Sequence, residues 1–385
     1  MLYPLKFKPH LKFYPYGGRG FVEVLEMDNV PKGRDVAESW EISDHGEEQS
    51  IVANGIHAGK TLHQMTAEFG ADLVGAEIFE KYGSYFPLLL KFLDCDQRLP
   101  AHMHPNDAHA ARLGLNDKGK TEAWYIVKAD PGAAAYIGSL PGLTPEKFGD
   151  AINAGDNYDG VMNKVETRAG DTYFVPAGRL HGLDGGNLAF EVQQNSDAGF
   201  GWDWAGFVEA GVIPEADAKA HPALAIECAY YEHGPQETTR EITLDWDGDA
   251  RTFCCACQYF VLERWNIRKT HVATDETSKF NTLTVIGGAM TVTGNGEEVF
   301  ARKGESLLIP AGLKIEIKPQ AGTNGGEVEI LRCYVPNLQR DVIEKLRQHG
   351  KSDEEIAWLG SYGQGNDLLP LLGLSREYFN SPNEK

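Results

Sequence analysis

The stretch Arg168-Ala-Gly-Asp-Thr-Tyr-Phe-Val-Pro-Ala-Gly178 recurs in the second half of the chain as Arg302-Lys-Gly-Glu-Ser-Leu-Leu-Ile-Pro-Ala-Gly312. Each copy joins a glycine–acid turn to a short apolar strand that ends in Pro-Ala-Gly. A unit that occurs twice in one chain indicates two domains of one type. Five residues past the last proline, the first copy has His181 and the second has Ile315. The repeat therefore predicts two β-barrels that differ at this histidine.

Two further histidines, His102 and His104, lie in Leu99-Pro-Ala-His-Met-His-Pro105. On a strand, the i, i+2 spacing points both imidazoles to one face. Glu122 begins a later apolar strand, and His181 follows the first copy of the repeat. Imidazole and carboxylate ligands suit Zn, Fe, Mn, Co or Ni, and a site with three or four such ligands leaves positions for water or substrate. These four residues predict one divalent metal in the first barrel, whereas a structural role for the histidines is the alternative.

Composition limits the classes of protein that the chain can belong to. Its 385 residues suffice for two or three domains, and 42% hydrophobic with 24% charged residues is typical of a globular protein. A formal net charge of −20 argues against nucleic acid and anionic membranes as partners. We expect a cytoplasmic protein without a membrane span or signal peptide. The six cysteines follow no regular spacing, so we expect reduced residues, and for the cluster Cys254, Cys255 and Cys257 we expect burial in a strand, with a metal site as the alternative.

The order of patterns along the chain predicts its organisation. Apolar residues at helical spacing predict one or two short helices over 62–81, and the dense apolar run 86–93 predicts a buried strand. Thr144 and Pro145 are typical of the first residues of a helix, here over 145–152. The expected domains are residues 1–200, a metal-binding barrel with a helical insert at about 139–163; 201–240, a helical connector; 241–336, a metal-free barrel; and 337–385, a helical C-terminal extension.

Five blocks, which lie within residues 1–335, resemble signature sequences of the type I phosphomannose isomerases, a family of cupin proteins. This resemblance implies a mainly β fold of two cupin (jelly-roll) barrels with helical insertions and a helical C-terminal tail. It also implies a single metal, usually zinc, and interconversion of mannose 6-phosphate and fructose 6-phosphate or of a related, unphosphorylated sugar. The blocks are Ala37-Glu-Ser-Trp-Glu-Ile-Ser43, Phe86-Pro-Leu-Leu-Leu-Lys-Phe-Leu93, His104-Pro-Asn-Asp107, Gly119-Lys-Thr-Glu-Ala-Trp-Tyr125 and Glu191-Val-Gln-Gln-Asn-Ser-Asp197.

The resemblance also assigns residues to the site. The family's metal ligands fall on His102, His104, Glu122 and His181, and Mn, Co, Fe or Ni remain alternatives to zinc. Residues matched to positions with a role in catalysis are Lys120, Glu191 and Asp197, and Lys91 matches a lysine near the substrate pocket.

The chain departs from the family pattern at two places. Pro100 stands where the family usually has serine, and residues 198–207 contain no arginine where the family carries one. An arginine's fork of donors is suited to phosphate, so these losses put the identity of the sugar in question. Arg179, two residues before His181, would face the same barrel mouth from a strand and contact substrate; a rim ion pair is its alternative role.

The predicted function is therefore metal-dependent aldose–ketose isomerisation, with Lys120 and Asp197 as candidates for moving the proton between C1 and C2. The expected partner is a small sugar or sugar phosphate; the oligomeric state is not predicted. A sugar-binding relative without activity and a non-haem iron oxygenase are the alternatives, because two histidines and a carboxylate also suit iron.

Overall fold

The computed structural model describes residues 1–231, 238–273, 278–321, 324–361 and 363–375. Antiparallel sheets with short helices between them dominate this part of the chain, which confirms the mainly β expectation. No helix within these ranges is long and apolar enough to cross a membrane. The α-helices are Gly20–Glu23, Leu62–Phe69, Ala71–Val74, Ala76–Tyr82, Asp107–Leu113, Pro145–Ala154, Ala205–Glu209, Glu215–Cys228, Lys345–Gln348, Asp353–Ala357 and Leu368–Leu372.

The first barrel consists of two antiparallel sheets whose inward side chains share one core. Leu93 and Trp124 enter this core from one sheet, and Ile137 and Leu183 enter it from the other. In spatial order the first sheet contains Thr172–Val175, Glu122–Ala129, Asn187–Gln194, Leu88–Cys95, Glu38–Ile42 and His10–Lys12. The second contains Met162–Glu166, Ala134–Ser139, His181–Leu183, Leu99–Met103 and Phe200–Gly201.

The second barrel repeats this arrangement, with Trp265 and Ile330 facing Val292 and Ile317. The N-terminal strand of the chain hydrogen-bonds to Ser306–Ile309 and so extends a sheet of this barrel. The domain boundaries given above stay a prediction. The larger sheet contains Ile242–Trp246, Asp249–Ala256, Val261–Ile267, Val328–Tyr334, Asn281–Gly287, Ser306–Ile309, Leu5–Lys8 and Ile51–Val52. The smaller contains His271–Ala273, Ile315–Pro319, Ala289–Gly294 and Glu297–Arg302.

The two barrels pack through the outer faces of their larger sheets. Because strand side chains alternate, the residues that do not face a barrel interior are free to face the other barrel. Phe92 and Phe190 of the first barrel share an apolar cluster with Leu262 and Leu331 of the second. Cys254, Cys255, Cys257 and Cys333 belong to this cluster, which confirms the predicted burial of the first three, and all six cysteines are buried free thiols.

The two copies of the repeat occupy equivalent places. They form the strands Thr172–Val175 and Ser306–Ile309, and the turn before each requires a glycine with positive φ, 95° at Gly170 and 81° at Gly304. The next strands begin at His181 and at Ile315. Ile315 packs in the apolar core of the second barrel, so an alkyl side chain stands where the first barrel has an imidazole.

Local signals placed several helices correctly. Thr144 caps Pro145–Ala154 by accepting a hydrogen bond from the Lys147 amide, with proline at the first position. The apolar spacing over 62–81 produces three short helices rather than one or two, because Gly70 and Gly75 interrupt the pattern. The helical connector expected over 201–240 was wrong at its start, since Phe200–Gly201 hydrogen-bonds to Leu99–Met103 as an edge strand and the first helix begins at Ala205. Residues 232–237 of this connector lie outside the described residues.

The C-terminal segment packs on the second barrel. Ser352 caps the helix Asp353–Ala357 in a reciprocal hydrogen-bond pair with Glu355, and Gln339–Glu344 forms a π-helical turn. Buried leucines and isoleucines of these helices share a cluster with Phe253 and Tyr334 of the barrel. Residues 376–385 of the expected extension lie outside the described part of the chain.

Candidate metal centre

Strand pairing brings the predicted ligands together from distant parts of the chain. His181 is the register partner of His102 in the smaller sheet of the first barrel. His104 follows the same strand by two residues and therefore presents its ring to the same side. Glu122 begins the strand Glu122–Ala129 in the facing sheet. All four side chains meet inside the barrel, and none is more than 9% exposed.

The three imidazoles converge through the same ring nitrogen. The Nε2 of His181 lies 3.0 Å from the Nε2 of His102 and 3.1 Å from that of His104. Each Nδ1 faces a backbone carbonyl, which only accepts, so each Nδ1 carries the proton and each Nε2 presents a lone pair. The three acceptors are the carbonyls of Pro100, Ala198 and Arg179, at 2.7, 2.8 and 2.8 Å.

The rings are neutral at ordinary pH. Burial lowers the pKa of His102 to about 3, with His181 and Lys120 acting in the same direction. Burial also holds the pKa values of His104 and His181 well below their usual range. Three lone pairs that point at one another repel unless a cation lies between them. The donor set therefore fits a divalent metal ion.

Glu122 completes the set with a carboxylate. Its Oε2 lies 3.2 Å from the Nε2 of His104, and its Oε1 lies 3.5 Å from the Nε2 of His181. Burial alone would raise the pKa of Glu122, but Lys120, Lys91 and His102 together outweigh burial, and the pKa is lowered. Three imidazoles and one carboxylate suit zinc and the other first-row divalent metals.

Lys120 joins the candidate ligands to a second carboxylate. Its Nζ lies 2.7 Å from Glu122, 3.3 Å from Glu191 and 3.2 Å from the Nε2 of His104. Burial opposes its positive charge, yet the two carboxylates raise the pKa of Lys120 above its ordinary value. The ammonium is consequently a fixed positive charge beside the cluster.

Lys91 extends this network to the neighbouring strands of the larger sheet. Its Nζ lies 3.5 Å from Glu191 and 3.2 Å from Glu38, whose carboxylate also accepts from the Trp40 indole at 2.7 Å. Glu38 was not among the residues predicted from the sequence. In the strand Glu38–Ile42 its i, i+2 spacing from Trp40 places both side chains on one face, and it lies within the first of the family-like blocks.

Asp197 lies beside the histidine cluster, whereas the Arg179 guanidinium contacts a neighbouring strand. Asp197 is water-accessible, and the surrounding protein raises its pKa although Lys91 opposes the shift. The next residue, Ala198, accepts the hydrogen bond from His104, which holds Asp197 close to the cluster. Arg179 donates from Nη1 to the carbonyl of Phe174 at 2.9 Å, so its guanidinium lies against the strand Thr172–Val175.

A double cupin with a buried three-histidine, one-carboxylate cluster in one barrel defines the class of metal-dependent cupin proteins. Two family models match the chain: phosphomannose isomerase type I, catalytic domain, over residues 5–125, and mannose-6-phosphate isomerase, cupin domain, over residues 249–319. Both barrels thus match the same family.

Individual proteins agree with the family models. Mannose-6-phosphate isomerase ManA of Bacillus subtilis is 31% identical over 312 residues, which covers 80% of this chain and 94% of that protein. A probable mannose-6-phosphate isomerase of the same organism, GmuF, is 29% identical over 313 residues and covers 81% and 94%. The crystal structure of the Bacillus subtilis mannose 6-phosphate isomerase superposes with a TM-score of 0.74 at 26% identity, covering 87% of this chain and 100% of that one. The chain belongs to the type I mannose-6-phosphate isomerase family.

Proposed function

We propose that the chain is a metal-dependent aldose–ketose isomerase that acts on sugars of mannose and fructose configuration. The observation that carries the proposal is the convergence of three imidazole lone pairs and the Glu122 carboxylate inside the first barrel. The named activity of the similar Bacillus subtilis proteins supports the reaction type and the sugar.

His102, His104, His181 and Glu122 would hold the metal, and zinc is the first candidate. One similar fold, a mannose 6-phosphate isomerase structure at 15% identity, is described as bound with zinc and yttrium. A divalent ion held by these residues would supply Lewis acidity to the sugar during isomerisation.

The isomerisation moves one proton from C2 to C1 and one from the C2 hydroxyl to the C1 oxygen, so nothing leaves the molecule. We assign the carbon-bound proton to Asp197, because its side chain is exposed and the neighbouring Ala198 accepts the hydrogen bond from His104. The Asp197 carboxylate accepts the C2 proton, the electron pair forms the C1–C2 double bond of the enediol, and the proton returns to C1. Lys120 and Lys91 keep their charge through Glu191 and provide hydrogen-bond donors to sugar oxygens.

Two substitutions, Asp197→Asn and Lys120→Met, test this assignment when exchange of the C2 proton with deuterated solvent is followed by NMR. Asp197→Asn should lower the exchange rate by about 10²–10⁴-fold, the range for loss of a positioned base. Lys120→Met should lower turnover while exchange stays measurable. Lys164→Met, at an exposed ion pair with Asp184, is the matched control and should behave as wild type. Wild-type exchange in Asp197→Asn would overturn the assignment.

The same experiment tests the reaction class. Isomerisation by the zinc-loaded enzyme without oxygen supports the isomerase. Sugar binding with no exchange, or turnover only with iron and oxygen, would contradict it.

A further inference from the structure

A histidine outside the candidate metal centre, His45, is held on a small two-stranded hairpin. It ends the strand Asp44–His45. Asp44 is buried and accepts a hydrogen bond from the amide of Phe86 at 2.9 Å, which ties the hairpin to the first barrel. The His45 ring meets the Trp40 indole nearly edge-on, with ring centroids 6.1 Å apart. The backbone and the ring of His45 are therefore both held in place.

The His45 ring is directed at the carboxylate of Asp117. Its Nε2 lies 3.1 Å from the Oδ2 of Asp117, and both side chains are partly buried. The hydrogen bond to Asp117 raises the pKa of His45 although burial opposes the shift. Burial would raise the pKa of Asp117, but hydrogen bonds from His45 and from the amides of Asp197 and Lys118 lower it. The two groups thus stabilise each other as an ion pair.

Asp117 also holds the backbone of Asp197, the residue assigned above to the carbon-bound proton. The same Oδ2 that faces His45 accepts from the amide of Asp197 at 2.9 Å. On the other side of Asp197, the carbonyl of Ala198 accepts from His104 at 2.8 Å. Asp197 is consequently tethered at both ends, to the histidine cluster through one peptide group and to the ion pair through the other.

The segment that carries Asp197 is joined to the loop that carries Asp117 at a second point. The Ser196 hydroxyl donates to the carbonyl of Lys118 at 2.9 Å. Lys120 follows two residues later in the same loop. Because the two segments are bonded twice, a shift of the Asp117 carboxylate would displace Asp197 relative to Lys120.

His45 also acts on Asp197 through its charge. Burial raises the pKa of Asp197, whereas positive groups oppose burial and a negative group acts with it. The positive groups are Lys91, Lys120 and His45, and the negative group is Glu38. The charged groups that act on His45 itself are Asp117, Asp197 and Glu48.

We propose that His45 and Asp117 are positioning residues for the isomerisation, which fix the backbone of Asp197 and place a positive charge near its carboxylate. The inference rests on the isomerase function proposed above and on Asp197 as its base. His45 and Asp117 act through Asp197 rather than on the sugar.

The first test measures kcat and KM of the zinc-loaded, full-length protein on mannose 6-phosphate and mannose. His45→Leu and Asp117→Ala should each lower kcat by about tenfold, with KM and zinc content within about twofold of wild type, because a misplaced base slows proton transfer without weakening binding. The double variant should be no slower than Asp117→Ala, since His45 acts through Asp117. His63→Leu is the matched control, because it removes a 3.1 Å contact to Asp44 of the same hairpin and should keep the wild-type kcat.

The second test follows the acid limb of the pH profile of kcat, which a merely structural role would not move. His45→Gln keeps an N–H donor but loses the charge that favours the Asp197 carboxylate, so the limb should move to higher pH by about 0.5 unit. Asp117→Asn keeps an acceptor for the Asp197 amide but loses a negative charge, so the limb should move to lower pH.

The outcomes separate the inference from the proposed function. A kcat of His45→Leu equal to that of His63→Leu, or acid limbs that stay in place or move in one direction in both charge variants, would overturn the inference and leave the isomerase function intact. If the wild type isomerises neither sugar, the isomerase function itself fails, and the inference fails with it.

Discussion

At the scale of single residues, the candidate metal centre depends on three carbonyl groups that orient three imidazoles. Because Pro100, Ala198 and Arg179 each accept from an Nδ1, the rings can present only Nε2 to the interior. Two of these carbonyls belong to the residue two positions before the histidine itself, so the His102 and His181 tautomers are set locally. The His104 tautomer depends on a distant loop.

Removal of one imidazole should abolish tight metal binding. His181→Ala is expected to lose zinc on dialysis, because a cluster that retains two imidazoles and a carboxylate binds a divalent ion more weakly. Metal analysis of the purified protein measures the loss. His349→Ala, at an exposed helix end, should keep the wild-type zinc content. Full zinc occupancy in His181→Ala would show that the ion lies elsewhere.

A second prediction concerns Glu41, which is 4% exposed at the seam between the barrels. Burial raises the pKa of Glu41 from 4.5 to about 8, partly offset by a hydrogen bond from Ser39. The folded protein keeps a proton that the unfolded chain releases, so the free energy of unfolding falls as the pH rises from about 4.5 to about 8.

Glu41→Gln has no such proton to release. We expect the variant to be more stable than wild type by about 3 kcal/mol at pH 7, with the difference shrinking towards pH 5. Urea unfolding at both pH values measures the two free energies. A constant difference between the proteins would show that Glu41 is ionised in the folded state.

At the scale of elements, the C-terminal helices act as part of the second barrel's core rather than as a separate tail. Leu346 and Ile356 are fully buried against Tyr334 and Phe253. Tyr334 ends the strand Val328–Tyr334, so the helices cover the end of the barrel that corresponds to the metal-binding end of the first.

Truncation of one side chain tests this packing. Leu346→Ala should lower the free energy of unfolding by about 2–5 kcal/mol, the range for a fully buried leucine. Leu371→Ala on the same segment is 47% exposed and should change it by less than about 0.5 kcal/mol. Similar effects of the two substitutions would mean that the helices are not docked.

At the scale of the whole molecule, the two barrels contain buried ion triads of opposite sign at equivalent positions. In each triad, the central residue is the direct register partner of one member on the neighbouring strand. The third member lies on the neighbouring strand to the other side, two register positions away. The triads are Glu38, Lys91 and Glu191 in the first barrel and Arg251, Glu263 and Arg332 in the second. The same strand arrangement thus holds a triad of net negative charge in the first barrel and a triad of net positive charge in the second.

Glu263 is the central group of the second triad and is fully buried. It accepts hydrogen bonds from Arg251, Arg332, Trp265 and Tyr334. Glu263→Gln should destabilise the protein by about 3–5 kcal/mol, because two buried guanidinium groups lose their counter-charge. Thermal or urea unfolding measures the effect, with exposed Glu298→Gln as the control. Wild-type stability would show that the arginines need no carboxylate.

The expectation of two barrels came from the repeat, and the cupin type came from the resemblance to the family. Each copy of the repeat, the His-x-His spacing and the helix cap at Thr144 lie within about ten residues, so one sequence suffices to recognise them. The family models and the superposition confirm the fold and the family that these motifs indicated. The roles of the individual site residues stay predictions.

Other features are decided only by contacts between distant segments. Glu38 forms an ion pair with Lys91 on the neighbouring strand, and the Trp204 ring packs beside the His102 ring. The N-terminal strand Leu5–Lys8 pairs with a strand of the second barrel. The period of a strand states which residues share a face, but it does not state which distant strand that face will meet. The sequence alone therefore determined the fold and the four candidate ligands. Tertiary packing decided which charges and aromatic rings surround them, because those partners are selected by complementary shape and charge across the barrel.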